Sequence, residues 1–95
     1  MTADEFAQIT HRVIQRDGFD DFLPVACFPA RRQIRMLKGL PPDVAPEQAT
    51  IEWASGLAEP DEEYLVAFKV DNERFKIVRF SMGERDEQTY DAHAA

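Results

Sequence analysis

Two histidines, a lone cysteine and two short acidic runs are the places where residue types alone offer this chain reactive chemistry. His11 and His93 lie far apart in sequence, and Cys27 stands near neither. A nucleophilic thiol needs a base beside it, and these two imidazoles are the chain's only histidine candidates. A zinc site needs three or four ligands, and two distant histidines with one cysteine do not make one. Asp20-Asp21 and Asp61-Glu62-Glu63 place carboxylates next to each other. General acid–base work needs two groups held close with separated pKa values, whereas these runs read as solvated loops. Their spacing is also too loose for a calcium loop. The glycines stand scattered at 18, 39, 56 and 83, so no phosphate-cradling loop is present. Trp53 could anchor a ligand, but on a mostly apolar helix face it reads as core. The residues therefore point to no catalytic, cofactor or metal site, and to a non-enzymatic protein.

Composition agrees with that direction. The chain has 95 residues with a formal net charge of −7, 44% hydrophobic and 31% charged. That is a globular composition, long enough to bury a core without disulfides. An acidic chain is a poor match for phosphate backbones or anionic lipid and suits a protein partner, a basic one in the first instance. A single cysteine forms no intramolecular disulfide and reads as a buried small apolar residue. No apolar run approaches the roughly 18 residues of a membrane span, and the N-terminal residues are acidic where a secretory signal would be basic. The expectation is a cytoplasmic protein.

The positioning elements follow from pattern. Residues 3–17 predict a helix capped by Thr2 or Asp4, with Phe6, Ile9 and Val13 as its apolar stripe, Ile14 at the margin and Gly18 as the stop. His11 falls off that stripe and is expected to be exposed. Residues 22–28 predict a strand that sits at an edge or begins at Val25, because Pro24 has no N–H to donate. Residues 30–38 are rich in helix formers and read as a second helix, with a strand as the alternative. Leu40-Pro41-Pro42, after Gly39, is a break. Residues 46–58 read as a further helix with Ala49, Trp53, Ala54, Leu57 and Ala58 at helical spacing, against a weaker period-two pattern.

Residues 64–80 predict a β-hairpin in which both faces are apolar. An even-numbered loop, Asp71–Arg74, would pair Val70 with Phe75, Phe68 with Ile77 and Val66 with Arg79. One face then carries Tyr64, Val66, Phe68, Val70, Phe75 and Ile77; the other carries Leu65, Ala67, Val78, Phe80 and Met82. An odd loop would exchange the faces of the second strand. The stretch 84–95 is polar and is expected to be a frayed acidic tail after a single domain at 1–83.

The fold expected is α+β, a small antiparallel sheet centred on the 63–82 hairpin with two or three packed helices. Its order is α-β-α-α-β-β, that of a winged helix, or αββαββ if 30–38 is a strand. Charge is segregated. Arg31, Arg32, Arg35 and Lys38 stand without an acid among them, whereas residues 43–63 hold Asp43, Glu47, Glu52, Glu59, Asp61, Glu62 and Glu63 without a base. Two surfaces follow. The cations Arg31, Arg32, Arg35, Lys38, Arg74 and Lys76 form a candidate patch for an anionic partner. Leu65, Val78, Phe80 and Met82 form a candidate apolar interface, suited to a homodimer or another protein. The leading expectation is a small acidic interaction module: adaptor, regulator or inhibitor. The alternative is a winged-helix-like nucleic-acid binder using the 31–38 segment and the 71–74 tip. The acidic 46–58 helix, which would have to enter the major groove, argues against it.

Overall fold

The computed structural model describes residues 1–39 and 46–94; the expected break at Leu40-Pro41-Pro42 and the acid Asp43 lie outside them. The elements are α1 (Ala3–Asp17), β1 (Val25–Phe28), a single 3₁₀ turn (Pro29–Arg31), β2 (Gln33–Met36), α2 (Pro46–Leu57), β3 (Tyr64–Lys69), β4 (Arg74–Ser81) and β5 (Glu84–Asp91). The strands form one antiparallel sheet in the order β2-β1-β3-β4-β5. The fold is α+β, with two α-helices among the described residues.

α1 starts where its sequence says it should. Thr2 accepts from the Glu5 N–H at 3.1 Å, and the Glu5 carboxylate reaches back to the Thr2 N–H at 3.4 Å, a reciprocal cap. Gly18 ends the helix at φ +83° and donates to the Ile14 carbonyl. The buried stripe is Phe6, Ala7, Thr10 and Ile14, turned slightly from the expected one. Thr10 is accommodated because its hydroxyl donates to the Phe6 carbonyl at 2.8 Å.

The two helices cover opposite faces of the sheet. α1 packs Phe6, Ala7 and Ile14 on Val25, Cys27, Leu65, Ala67, Phe75 and Ile77. On the other face, Ala54 of α2, flanked by Ile51, Trp53 and Leu57, packs on Ala26, Phe28, Val66, Phe68 and Val78. This explains the two apolar faces of the hairpin: β1 and β3 are interior strands buried on both sides. Burying each large side chain contributes about 1.5–3 kcal/mol.

The hairpin register differs from the even-loop expectation by one residue. The observed pairs are Lys69 with Phe75, Phe68 with Lys76, Val66 with Val78 and Tyr64 with Phe80. Five residues, Val70–Arg74, separate the first pair. The Asp71 carboxylate accepts from the N–H groups of Glu73 and Arg74, both at 2.9 Å, and so holds this longer loop. The faces of β4 are therefore exchanged, with Phe75 and Ile77 under α1 and Val78 and Phe80 under α2. Lys69 and Lys76, which the even loop would set opposite each other, pair instead with Phe75 and Phe68.

Two segments depart from their expected form. Residues 30–38 are not a helix. Pro29 opens one 3₁₀ turn, and Arg32 at φ +53° turns the chain into β2, which runs back along β1. The helix propensity of this short basic stretch yields to the ladder β1 offers. The order is thus α-β-β-α-β-β-β, not that of a winged helix. Nor are residues 84–91 frayed. Met82 and Gly83, at φ +52° and +79°, make a two-residue turn between Ser81 and Glu84. β5 then pairs along the whole of β4.

Candidate interaction edge

With both sheet faces occupied, surface for a partner is to be sought at the sheet margins, and the two margins differ. β5 is bound back to its neighbours by charge. Asp86 pairs with Arg79 at 3.1 Å, and Glu87 pairs with Lys76 at 3.0 Å and Arg85 at 2.8 Å. Glu47 of α2 accepts from Lys76 and Arg85 above them. The Glu87 carboxyl is held below its ordinary range first by Arg85, then by Lys76. On the opposite face Tyr90 stacks on Phe75 at 5.4 Å and donates to Asp4 at 2.7 Å. A charged strand of this kind resists addition of another strand.

β2 is built otherwise. The Leu37 N–H donates to the Pro24 carbonyl at 2.8 Å, extending the Val25–Met36 register by one pair. Bonded and non-bonded pairs alternate in an antiparallel ladder. Leu37, Arg35 and Gln33 are thus the residues whose backbone turns toward β1, while the N–H and C=O groups of Ile34 and Met36 point away from the sheet. Side chains alternate as well. Ile34 and Met36 stand opposite Cys27 and Val25 on the α1 side, and Gln33 and Arg35 opposite Phe28 and Ala26 on the α2 side. Ile34 is 48% exposed, an unusual position for a large apolar side chain beside a strand edge that no described residue pairs.

The six cations expected to form one patch divide into two sets. Arg31 binds Glu62 through two hydrogen bonds and lies over the Phe28 ring at 4.5 Å. Arg74 is engaged by Asp71, and Lys76 by Glu47 and Glu87. Arg32, Arg35 and Lys38 make no ion pair among the described residues, are exposed, and sit on or beside β2. Lys76 lies three strands across the sheet, about 14 Å at the usual strand spacing. The apolar set divides too. Leu65 and Val78 are fully buried, on opposite faces; Phe80 stacks on Tyr64 at 4.8 Å; Met82 is 91% exposed at the β4–β5 turn. Packing consumes the first two, so these four do not form an interface.

The reactive side chains come together only in part. His11 and His93 both line a cleft of about 340 Å³, together with Ile14, Gln15, Gly18 and Phe19. His11 is half-buried rather than exposed. Its Nε2 lies 2.9 Å from the Asp91 carbonyl oxygen, and its ring meets Phe75 edge-on. Among the described residues no carboxylate, hydroxyl or thiol side chain lines this cleft. Cys27 lies elsewhere, against Met1, and burial pushes its thiol up, away from the thiolate. Among the described residues no group of three or more His, Cys, Asp and Glu is placed to hold a metal ion, and no helix is long and apolar enough to cross a membrane. The β2 strand corresponds to the alternative reading of 30–38, not the favoured helix, and Ile34 and Met36 at period two are its signal in the sequence. No family model, curated protein or solved structure matches this chain.

Proposed function

We propose that this chain is a small non-enzymatic protein-interaction module that takes an extended segment of a partner as a sixth strand on β2. The observation that carries the reading is the outward-pointing backbone of Ile34 and Met36, set among three cations, Arg32, Arg35 and Lys38, without ion pairs in the described residues. Backbone hydrogen bonds supply affinity in such strand addition, and the neighbouring side chains supply selection. The same cations repel a second β2 edge, so the module is expected to be a monomer rather than a homodimer. A cytoplasmic setting suits a chain whose one cysteine is buried and unbridged.

The three cations without ion pairs in the described residues favour an acidic segment in spite of the acidity of the whole. β5, the most distant strand, lies about 19 Å across the sheet at the usual spacing. That exceeds two Debye lengths at physiological salt, where screening acts over about 8 Å. Nucleic-acid binding is the less supported reading. Three of its six proposed cations are occupied by carboxylates, and three remaining phosphate contacts give weak, salt-sensitive association.

The test is selection from a displayed library of extended peptides about ten residues long, followed by titration against the wild type and Ile34→Pro. Proline removes an N–H that β1 does not use, so the fold is expected to persist, as circular dichroism would verify. The reading requires that selected peptides lose about tenfold or more in affinity on this substitution, roughly 1.4 kcal/mol. Peptides indifferent to it, or tight duplex DNA binding at low salt with no peptide selected, would contradict the reading.

A further inference from the structure

We infer that the segment selected by the β2 edge alternates apolar and acidic residues, its apolar side chains on the α1 side and its carboxylates on the α2 side. The inference rests on the strand-docking reading and adds the chemistry of the ligand. An added strand places successive side chains on opposite faces. Each meets its neighbour on β2 at about 4.5–5.5 Å between β-carbons.

On the α1 side the neighbours are Ile34 and Met36. Met36 already packs against the core around Val25, and Ile34 is the half-exposed end of that apolar surface. An apolar residue opposite them would continue the core outward by one strand, whereas a charged one would be desolvated there without a partner. On the α2 side the neighbours are Gln33 and the exposed Arg35. A carboxylate beside Arg35 would give its guanidinium the two-oxygen acceptor that no described residue of the chain supplies. Arg32 before the strand and Lys38 after it extend the cationic field along the edge.

A second copy's β5 offers a poor match despite its acidity. Its Asp86 and Glu87 are already held by Arg79, Lys76 and Arg85. Its α1-side residues are Asp86, Gln88 and Tyr90, where the pattern calls for an apolar row. The occupant is therefore a segment of another protein.

Three synthetic peptides test this against the full chain: alternating Val and Glu, the same composition rearranged as a Val block and a Glu block, and alternating Val and Lys. Each is titrated against the wild type, Arg35→Glu and Ile34→Pro, with sedimentation of the chain alone. The inference predicts that the alternating acidic peptide binds the wild type about tenfold or more tighter than the other two. Arg35→Glu transfers that preference to the lysine peptide, and the chain alone sediments as a monomer. If the block peptide binds equally well and still loses affinity on Ile34→Pro, the alternation is wrong while strand docking survives. If all binding is indifferent to Ile34→Pro, or none occurs, the docking reading falls as well. Self-association abolished by Arg35→Glu would assign the edge to a second copy and overturn the inference.

Discussion

Arg31 and Glu62 form a two-pronged pair, with the guanidinium Nε and Nη2 at 2.8 and 2.7 Å from the two carboxylate oxygens. The same Nη2 donates to the Leu57 carbonyl at 2.9 Å. One side chain thus fastens the turn between β1 and β2 to the end of α2 and to the link that leads into β3. Through this fastening the β2 edge is fixed relative to the rest of the sheet, and Arg31 is withdrawn from the free cations.

Arg31→Lys is expected to lower the melting temperature, although it keeps the charge, because an ammonium cannot reproduce the fork. Glu62→Gln is expected to do the same. The double substitution Arg31→Lys with Glu62→Gln is expected to cost less than the two single losses added together, since both remove one interaction. Thermal unfolding of the four proteins measures this, and strict additivity would contradict the coupling.

Met82 occupies a left-handed backbone position with its side chain in solvent. Such a position costs an ordinary residue about 1–2 kcal/mol and is readily adopted by Asn. Met82→Asn should therefore raise stability, by about 1 kcal/mol. Gly83→Ala should lower it by a similar amount, through backbone strain alone, since an added Cβ meets nothing within 4 Å. Urea unfolding measures both. No change in either would mean that β5 does not return along β4 through this turn.

Phe75 is fully buried, with His11, Phe22 and Tyr90 around its ring. Phe75→Ala should cost about 3–5 kcal/mol, a large part of the 5–15 kcal/mol typical of a domain. The exposed Met82→Ala should stay within about 0.5 kcal/mol. Comparable losses at the two positions would contradict the packing described.

Several carboxyls are held below their ordinary range. Arg31 lowers Glu62, and Arg74 lowers Asp71. At Glu63 burial pushes upward, but the Met1 ammonium and Arg79 outweigh it. A carboxyl with a depressed folded pKa adds stability above its unfolded pKa, and that stability is lost as pH falls through the folded one. The melting temperature should therefore be nearly level from about pH 6 to 8 and fall below about pH 4.5, where free carboxyls protonate. Tyr90 moves the opposite way. Burial and the Asp4 carboxylate keep its phenol protonated beyond the usual tyrosine range, so in a Tyr64→Phe background ultraviolet titration should show delayed ionisation. An ordinary phenol titration would contradict the Tyr90–Asp4 contact.

The elements legible in the sequence are those whose apolar period survives in the fold. Thr2 and Gly18 bound α1, Pro24 places the start of β1 at Val25, and the run from Tyr64 to Phe80 marks the central hairpin. α2 is recognisable despite its alternate period, with Ala54 and Leu57 facing the sheet. The parts that escaped depend on tertiary partners. β2 has only Ile34 and Met36 to mark it, and its basic residues are good helix formers; pairing with β1 decides the matter. β5 carries almost no apolar residue because its stabilising contacts are ionic, with Lys76 and Arg79 on β4 as the complements of Glu87 and Asp86. The register of β3 with β4 turned on Asp71, whose side chain closes a loop of odd length. The candidate edge is contained in the alternative reading of 30–38 as a strand, which the helix propensity of its basic residues outweighs in the sequence alone.

Backbone amide hydrogen exchange along β2, without and with the alternating Val–Glu peptide, tests the docking account most directly. In the free protein Arg35 and Leu37 should be protected by β1, while Ile34 and Met36 exchange at nearly unprotected rates. Bound peptide should slow exchange at Ile34 and Met36 and leave the amides of β5 unchanged. Protection of Ile34 and Met36 in the free protein, or slowing confined to any other part of the sheet, would contradict the account.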